Sequence, residues 1–453
     1  MLFSSLTFLL YFFPLVILVH YILPKRWQNP FLLTASLVFY AWGDARQVPL
    51  FVTLLMVNWG TARLIARTQK PVTRRVLLAA ALSCDFGALL FYKYTGFLLG
   101  IAGLQPAFLS GLTLPLGISF FVFQAAGYLF DVYRNQTQPE RNPIAFGTFL
   151  FLFPQLIAGP IVRYSDMAKS LHEKRRPDAR ALESGMALFV AGLAAKVLLA
   201  NPLGEAYSQL HAMTGDMLCA WASLGAYTLQ IYFDFMGYSV MAVGLGRMLG
   251  FYFPRNFNHP YAAVSITDFW RRWHITLSGW FKDYVYIPLG GSRQGQLRTV
   301  RNLLVVWSLT GLWHGADWNF LLWGLWYFLL LSAEKFVFAG RVKLPMILQR
   351  CLTLLAVMLG WALFVSDGLA GFVEYLGSLF SFRTEVQSLF WLREFAGIIL
   401  LGMVFCVPGV VEGLKKLCRR FALIRYAAVM IAMLLCLAAL AKSSYNPFLY
   451  FRF

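Results

Sequence analysis

A series of long apolar runs constrains this chain more than any other feature of its sequence. Apolar residues make up 59% and charged residues 13% of its 453 positions, against roughly 25% charged in an average soluble protein. Water could not cover that much apolar surface, and backbone polar groups inside lipid must be bonded within each segment. The sequence therefore predicts an all-α integral membrane protein. The runs fall near residues 2–23, 30–43, 48–66, 76–94, 114–132, 144–160, 184–200, 217–243, 302–313, 318–338, 350–366, 395–411 and 422–441.

The spacing of these runs predicts roughly ten transmembrane helices together with re-entrant or interfacial helices. No repeat of 20–50 residues and no low-complexity linker divides the chain. We therefore expect a single polytopic membrane domain over residues 1–453.

The chain is basic, with 39 Lys and Arg against 20 Asp and Glu and a formal net charge of +19. In a soluble protein this excess would indicate a nucleic-acid partner. Cytoplasmic loops of membrane proteins carry the same excess, so we expect contact with membrane lipid and no nucleic acid. Lys25 and Arg26 follow the first run, which predicts a retained first span with its N-terminus outside and Lys25 in the cytoplasm.

Two regions interrupt the simple alternation of spans. Run 144–160 contains Pro154, Gly159 and Pro160, which disrupt helical hydrogen bonding, and basic residues follow it. It is expected to enter and return on the cytoplasmic side. Residues 251–301 hold no spanning run and many Arg and Lys, each costly at the bilayer centre, so this region should lie at or re-enter from the cytoplasmic face.

His314 is the strongest candidate for chemistry. Run 302–313 makes only about 18 Å of helix, too short to cross a ~30 Å hydrocarbon core, and a polar, aromatic break follows it. His314 should therefore lie near the tip of a hairpin, deep in the protein, with Gly311 and Gly315 leaving room for a substrate. A buried imidazole is neutral and can accept a proton. The alternative is a core histidine bonded to a backbone carbonyl.

His274 is the second candidate. On one continuous helix, a stripe from Phe269 to Tyr284 would face lipid while Arg271, Ser278 and Lys282 oppose it, as in an interfacial helix. His274 falls at the edge of the apolar face, where it could point into a cavity, although the same helix could be a plain membrane-surface element. The other histidines are interpreted as a packing or interface residue (His20), a solvated residue (His172), a candidate substrate contact (His211) and a turn residue (His259).

Other reaction motifs are absent from the sequence, including G-x-S-x-G, the P-loop and H-E-x-x-H. The six cysteines lie far apart, which predicts neither a metal site nor disulfides. A buried base without a protein nucleophile favours direct transfer between two bound substrates, in which the base deprotonates a hydroxyl that attacks an activated acyl group.

Several sequence blocks resemble the membrane-bound O-acyltransferase superfamily, in particular its bacterial polysaccharide O-acetyltransferase branch, which includes the alginate, cellulose and peptidoglycan systems. The resemblance covers nearly the whole chain. Its blocks are MLFSSLTFLLYFFPL, FYAWGD, LPLGISFFVFQ, FPQLIAGPIVRY, LQIYFDFMGYSVMAVGLGRMLGF, NFNHPY, DFWRRWHITLSGWFKDYVYIPLGGSR, GLWHGADWNFLLWGLWYF and NPFLYFRF.

The resemblance implies an O-acetyltransferase with a funnel of helices and a central tunnel, a catalytic core at about 114–340, and the two family histidines at His314 and His274. It implies acetyl-CoA as the acyl donor, with no permanently bound cofactor and no metal. Arg271, Arg272 and Lys282 would meet the phosphates of coenzyme A or, alternatively, anionic lipid headgroups. It also implies a multi-pass protein of the bacterial inner membrane, an extracytoplasmic SGNH-type transferase as partner, and a polysaccharide synthesis and export complex.

One block departs from the alginate pattern. Val240 stands where that pattern has a closing aspartate, so cellulose or another exopolysaccharide is as consistent with the sequence as alginate. Peptidoglycan or a teichoic acid chain is an alternative acceptor. A transporter or flippase of an acylated carrier is an alternative of another class, because broken helices with a polar residue at mid-depth also occur in transporters.

Overall fold

The computed structural model of the chain describes residues 1–104, 106–338, 344–442 and 449, and it is helical with no β-strand in those ranges. The first helices are α1 (Phe13–Ile22), α2 (Lys25–Asp44), α3 (Val48–Arg67), α4 (Pro71–Ile101), α5 (Ile118–Tyr133), α6 (Pro143–Phe151), α7 (Phe153–Leu156) and α8 (Tyr164–His172). The remaining helices are α9 (Ala179–Ala194), α10 (Asn201–His211), α11 (Met217–Met248), α12 (Ile266–Arg272), α13 (Ile275–Phe281), α14 (Gln296–His314), α15 (Trp318–Ala333), α16 (Met346–Val365), α17 (Gly368–Leu379), α18 (Val386–Cys406), α19 (Pro408–Arg420) and α20 (Ala422–Lys442).

Seven helical stretches in these ranges are long and apolar enough to cross a membrane, and two shorter apolar helices accompany them. One of the seven, Lys25–Arg67, is divided by a short turn into α2 and α3. Large apolar side chains such as Leu401 on α18 and Leu434 on α20 are more than 40% exposed, as expected of helix faces that meet lipid. The predicted all-α, multi-pass membrane protein is confirmed. The seven long stretches are Lys25–Arg67, Pro71–Ile101, Ala179–His211, Trp318–Phe338, Met346–Val365, Val386–Cys406 and Ala422–Lys442.

The described chain forms two compact units. The first comprises Met1–Phe189 and Ser239–Pro254, and the second comprises Val190–Tyr238 and Arg255–Phe453. The single domain expected from the sequence stays a prediction.

An aromatic core organises the first unit. The ring of Phe8 lies about 6 Å from those of Phe39, Phe153 and Phe189, a spacing at which edge-to-face aromatic contacts are favourable. Run 144–160 is not one helix, because the backbone leaves the helical conformation at Leu152 between α6 and α7. The sequence-based expectation of a broken run is therefore confirmed, and residues 145–160 are buried in protein.

Helices α14 and α15 of the second unit form a hairpin with direct backbone contact. A Cβ atom on Gly311 would lie 2.3 Å from the carbonyl oxygen of Phe320, and one on Gly324 would lie 2.3 Å from that of Trp307. Only glycine fits at either position. Helix α14 begins at Gln296, well before the apolar run at 302, so the helix is longer than the run indicates.

Candidate active site

His314 is the last residue of α14, immediately before the turn that leads into α15. Its side chain is buried, with 7% of the residue exposed. The predicted location, at the tip of a hairpin and inside the protein, is confirmed.

The expectation that Gly311 and Gly315 leave room for a substrate is wrong. A Cβ atom on Gly315 would lie 2.1 Å from the ring of Phe320, and one on Gly311 would meet the Phe320 carbonyl oxygen. Both glycines allow the first turn of α15 to pack directly against the end of α14 and the turn after it. The two helices approach each other too closely for a side chain at either position.

Aromatic rings surround the His314 imidazole. The ring centroids of Trp313, Trp323 and Phe364 lie 4.9, 5.0 and 5.4 Å from that of His314, all close to perpendicular. Apolar rings of this kind exclude water and fix the orientation of the imidazole.

A small cavity adjoins His314. Its volume is about 10 Å³, which is about the space that one water molecule needs. This volume is too small for an acyl group, and the tunnel implied by the family resemblance stays a prediction. The cavity is lined by Ile231, Asp234, Phe235, Trp273, His314, Trp361, Phe364 and Leu449.

Asp234 of the cavity wall belongs to a buried ion pair that the sequence analysis missed. Lys196 Nζ lies 2.7 Å from Asp234 Oδ1, and both side chains are under 5% exposed. The backbone N–H of Leu449 donates to Asp234 Oδ2 over 2.9 Å, and Lys196 also donates to Asn201 Oδ1 over 2.8 Å. A lysine inside apolar run 184–200 was the available signal, because a charge at membrane depth is retained only with a partner or a function.

His274 lies at a break between two short helices. The predicted continuous helix from Phe269 to Tyr284 is wrong, since α12 ends at Arg272 and α13 begins at Ile275. His274 has φ +43°, a left-handed conformation that is uncommon outside glycine. Its Nδ1 lies 3.2 Å from Asn256 Oδ1. The residue is 1% exposed, and burial lowers the pKa of its imidazole to about 3, so the ring is neutral.

The two predicted histidines share aromatic neighbours. The Trp313 ring lies 5.9 Å from His274 and 4.9 Å from His314. Phe235 contacts the His274 ring at 4.7 Å and also lines the His314 cavity. The structure therefore brings the two histidines to one aromatic cluster. They lie far apart in the sequence, so the fold alone brings them together.

The three predicted coenzyme-binding residues differ in their surroundings. Arg271 and Lys282 are exposed. Arg272 is partly buried, and its Nε donates to Asp268 Oδ1 one helical turn earlier, over 2.7 Å. Only Arg271 and Lys282 present side chains that solvent reaches freely.

The remaining histidines lie elsewhere. His20 is buried in α1, and His259, with φ +47°, precedes the turn at Pro260, so both interpretations are confirmed. His211 packs at 4.6 Å against Tyr375. His172 is not simply solvated, because its Nε2 lies 2.7 Å from Glu140 Oε2.

Comparisons with known proteins agree with this architecture. The model of the membrane-bound O-acyltransferase family, MBOAT, matches residues 138–365. A probable alginate O-acetylase, AlgI, of Azotobacter vinelandii is 37% identical over 90% of this chain and 85% of its own length. The corresponding protein of Pseudomonas putida is 34% identical over the whole of both chains. A peptidoglycan O-acetyltransferase of Helicobacter pylori is 36% identical over 83% of this chain and 79% of its own length.

These matches distinguish an enzyme from the transporter alternative, because the family model and the named relatives are acyltransferases. The chain belongs to the membrane-bound O-acyltransferase family, and it is an O-acyltransferase.

Proposed function

We propose that this chain takes an acetyl group from cytosolic acetyl-CoA and passes it across the bacterial inner membrane for O-acetylation of an exported polysaccharide. The observation that carries the proposal is His314, enclosed by aromatic rings beside a water-sized cavity whose wall holds Asp234. The named alginate O-acetylases support a polysaccharide as the final acceptor.

His314 acts as the general base in this proposal. Its neutral imidazole removes the proton from the acceptor hydroxyl as the hydroxyl oxygen attacks the thioester carbonyl carbon. The new ester C–O bond forms, the C–S bond breaks, and the imidazolium returns its proton to the departing coenzyme A thiolate. Atoms and charge balance without a covalent acyl-enzyme.

His274 takes the second family role by holding the cluster around the base. Its bond to Asn256 and its contact with Trp313 fix the ring that packs directly on His314. A base must be held close to its productive orientation, because small displacements reduce the rate steeply.

The acyl group needs more space than the cavity offers. Phe364 and Trp361 on α16, and Phe235 on α11, form part of its aromatic lining. We propose that these rings move when substrate enters. Arg271 and Lys282 are exposed cations suited to the phosphates of coenzyme A, while Arg272 is oriented by Asp268.

The proposal includes a partner. An extracytoplasmic SGNH-type transferase would receive the acetyl group and modify the polymer within an export complex. Peptidoglycan is the second candidate acceptor, favoured by the 36% identity to a peptidoglycan O-acetyltransferase.

The test uses inverted membrane vesicles from cells that carry the complete acetylation system, supplied with radiolabelled acetyl-CoA. We expect His314→Gln to reduce release of free coenzyme A by about 10²–10⁴-fold, the usual contribution of a general base. His20→Gln is the matched control, because it removes an equally buried histidine from outside the proposed site. Transfer at the wild-type rate in His314→Gln would exclude the proposed role.

The acceptor is determined in the same cells. Acetate content of the exported polysaccharide and of purified peptidoglycan is measured in wild type and in His314→Gln. Loss of acetate from the polysaccharide alone supports the first candidate, and loss from peptidoglycan alone supports the second.

A further inference from the structure

The first unit contains an open cavity that the proposed acyl transfer does not use. Its volume is about 530 Å³, far larger than the cavity at His314. Its lining combines the N-terminal ends of α2 and α6 with the chain that follows α8. Among its residues are Lys25, Arg26, Asn29, Asn142, His172 and Arg175.

Arg175 is the central feature of this cavity. It is 6% exposed, and its guanidinium donates to the Ser170 carbonyl over 2.6 Å and to Asn29 Oδ1 over 2.7 Å. Both acceptors are neutral. Within the described part of the chain its Nε makes no hydrogen bond. Burial lowers the pKa of Arg175 to about 10, so the side chain stays cationic at neutral pH.

Other groups add positive potential to the same cavity. Lys25 and Arg26 are exposed in the first turn of α2, and the first turn of α6 begins after Asn142. Helix N-termini carry partial positive charge that favours anions. At α6 this is the contribution of the dipole, because Pro143 has no N–H and the Ile144 N–H donates to Asn142 Oδ1. One carboxylate, Glu173, also lines the cavity, and it lies 4.0 Å from Lys169 Nζ.

Apolar side chains border the charged lining. Ile22 is 71% exposed and Trp27 is 53% exposed, on either side of Lys25 and Arg26. Ile144, 39% exposed, lies in the cavity wall itself. Tryptophan beside basic residues is typical of the membrane–water boundary, where basic pockets between helices bind lipid headgroups.

We propose that this cavity binds a phosphate ester, with Arg175, Lys25 and Arg26 as its cationic ligands, and that the ester is the headgroup of an anionic phospholipid. The exposed apolar neighbours favour a lipid, whose acyl chains they would contact. The phosphates of soluble coenzyme A have the same chemistry and are the other source. The inference does not depend on the proposed acetyl transfer.

The experiment uses the full-length chain, purified in detergent, stripped of lipid and titrated with dioleoyl-phosphatidylglycerol or with coenzyme A. Bound molecules are counted by native mass spectrometry. We expect Lys25→Gln/Arg26→Gln to weaken phosphatidylglycerol binding about thirtyfold, at roughly fivefold for each basic residue near a membrane surface. Lys174→Gln/Arg176→Gln is the matched control, because it removes the same charge from exposed positions of the neighbouring loop that do not line the cavity.

Arg175 provides a second comparison. Arg175→Lys keeps the charge and should retain most of the binding, whereas Arg175→Gln should lose it. If Arg175→Gln does not fold, the exposed pair Lys25 and Arg26 still decides the outcome.

Each result has a defined meaning. Selective loss of phosphatidylglycerol in the Lys25/Arg26 variant supports the lipid headgroup. Selective loss of coenzyme A binding instead retains the phosphate-ester site and assigns it to the soluble source. Equal binding by both double variants, or equal loss in both, overturns the proposal.

Discussion

The cavity at His314 and the cavity at Arg175 differ in size and in chemistry. The first has room for about one water and is walled by aromatic rings with one carboxylate that is already paired. The second is about 530 Å³ and presents several cations at an open mouth. Aromatic rings around an imidazole favour its neutral form, which can accept a proton, whereas a cavity open to water lets cations stay charged at low cost. An enclosed site therefore suits proton transfer, and an open cationic site suits the binding of an anion.

The largest effect should be seen when acetyl transfer is compared between a variant of the His314 cavity and a variant of the Arg175 cavity. We expect His314→Gln to reduce acetyl transfer by about 10²–10⁴-fold, while Lys25→Gln/Arg26→Gln keeps transfer within a few-fold of wild type. Acetate released from the exported polymer by mild alkali measures both. Equal losses of acetyl transfer in the two variants would contradict the conclusion that only the His314 cavity takes part in transfer.

The buried ion pair should produce the next largest effect. Asp234→Asn leaves the Lys196 charge without its carboxylate, so we expect unfolding free energy to fall by about 3–5 kcal/mol. Lys196→Met/Asp234→Leu should recover most of that loss. Thermal unfolding in detergent measures the effect. Glu173→Gln, at an exposed pair, is the control and should cost under about 1 kcal/mol. A cost that small for Asp234→Asn would mean that the pair is not enclosed.

Substitutions of His274 separate the contribution of its left-handed backbone from the contribution of its imidazole ring. Asparagine tolerates the left-handed conformation that His274 adopts, whereas alanine pays for it. We expect His274→Ala to be less stable than His274→Asn by about 1–2 kcal/mol, while acetyl transfer falls alike in both because both lose the ring that supports Trp313. Acetyl transfer at the wild-type rate in His274→Asn would show that the imidazole ring does not contribute to transfer and that only the backbone conformation at this position matters.

The smallest effect should be a pH dependence near the Arg175 cavity. Burial raises the pKa of the Glu140 carboxyl, but hydrogen bonds from the Asn142 backbone, Tyr164 and His172 outweigh burial and lower it below 4.5 overall. Because the folded pKa is the lower one, the stabilisation from Glu140 is present above about pH 4.5 and is lost as pH falls through the folded value.

Glu140→Gln should therefore flatten the dependence of unfolding temperature on pH as the pH falls below about 4.5. The same acid slope in the variant and in wild type would show that other carboxylates cause it. Asp166→Asn, at an exposed position of α8, is the control and should leave the slope unchanged.

The sequence was sufficient to predict the features that depend on a local pattern of residues. Apolar runs fixed the helical membrane class, and the break after Trp313 located His314 at a helix end. It failed where distant segments decide the outcome. The left-handed turn at His274 depends on hydrogen bonds of the neighbouring chain to residues around Asn256, and the pairing of Lys196 with Asp234 joins two helical segments. Neither leaves a periodic signal.

The glycine contact between α14 and α15 has a mechanical consequence. Because the two backbones are in contact at Gly311 and Gly324, neither helix can slide or tilt independently of the other. The hairpin therefore moves as one rigid unit, and the His314 imidazole is fixed at its end. Under the proposed mechanism, space for anything bulkier than water must therefore come from other rings of the lining, such as Phe364 and Trp361 of α16, while the base keeps its place on the hairpin.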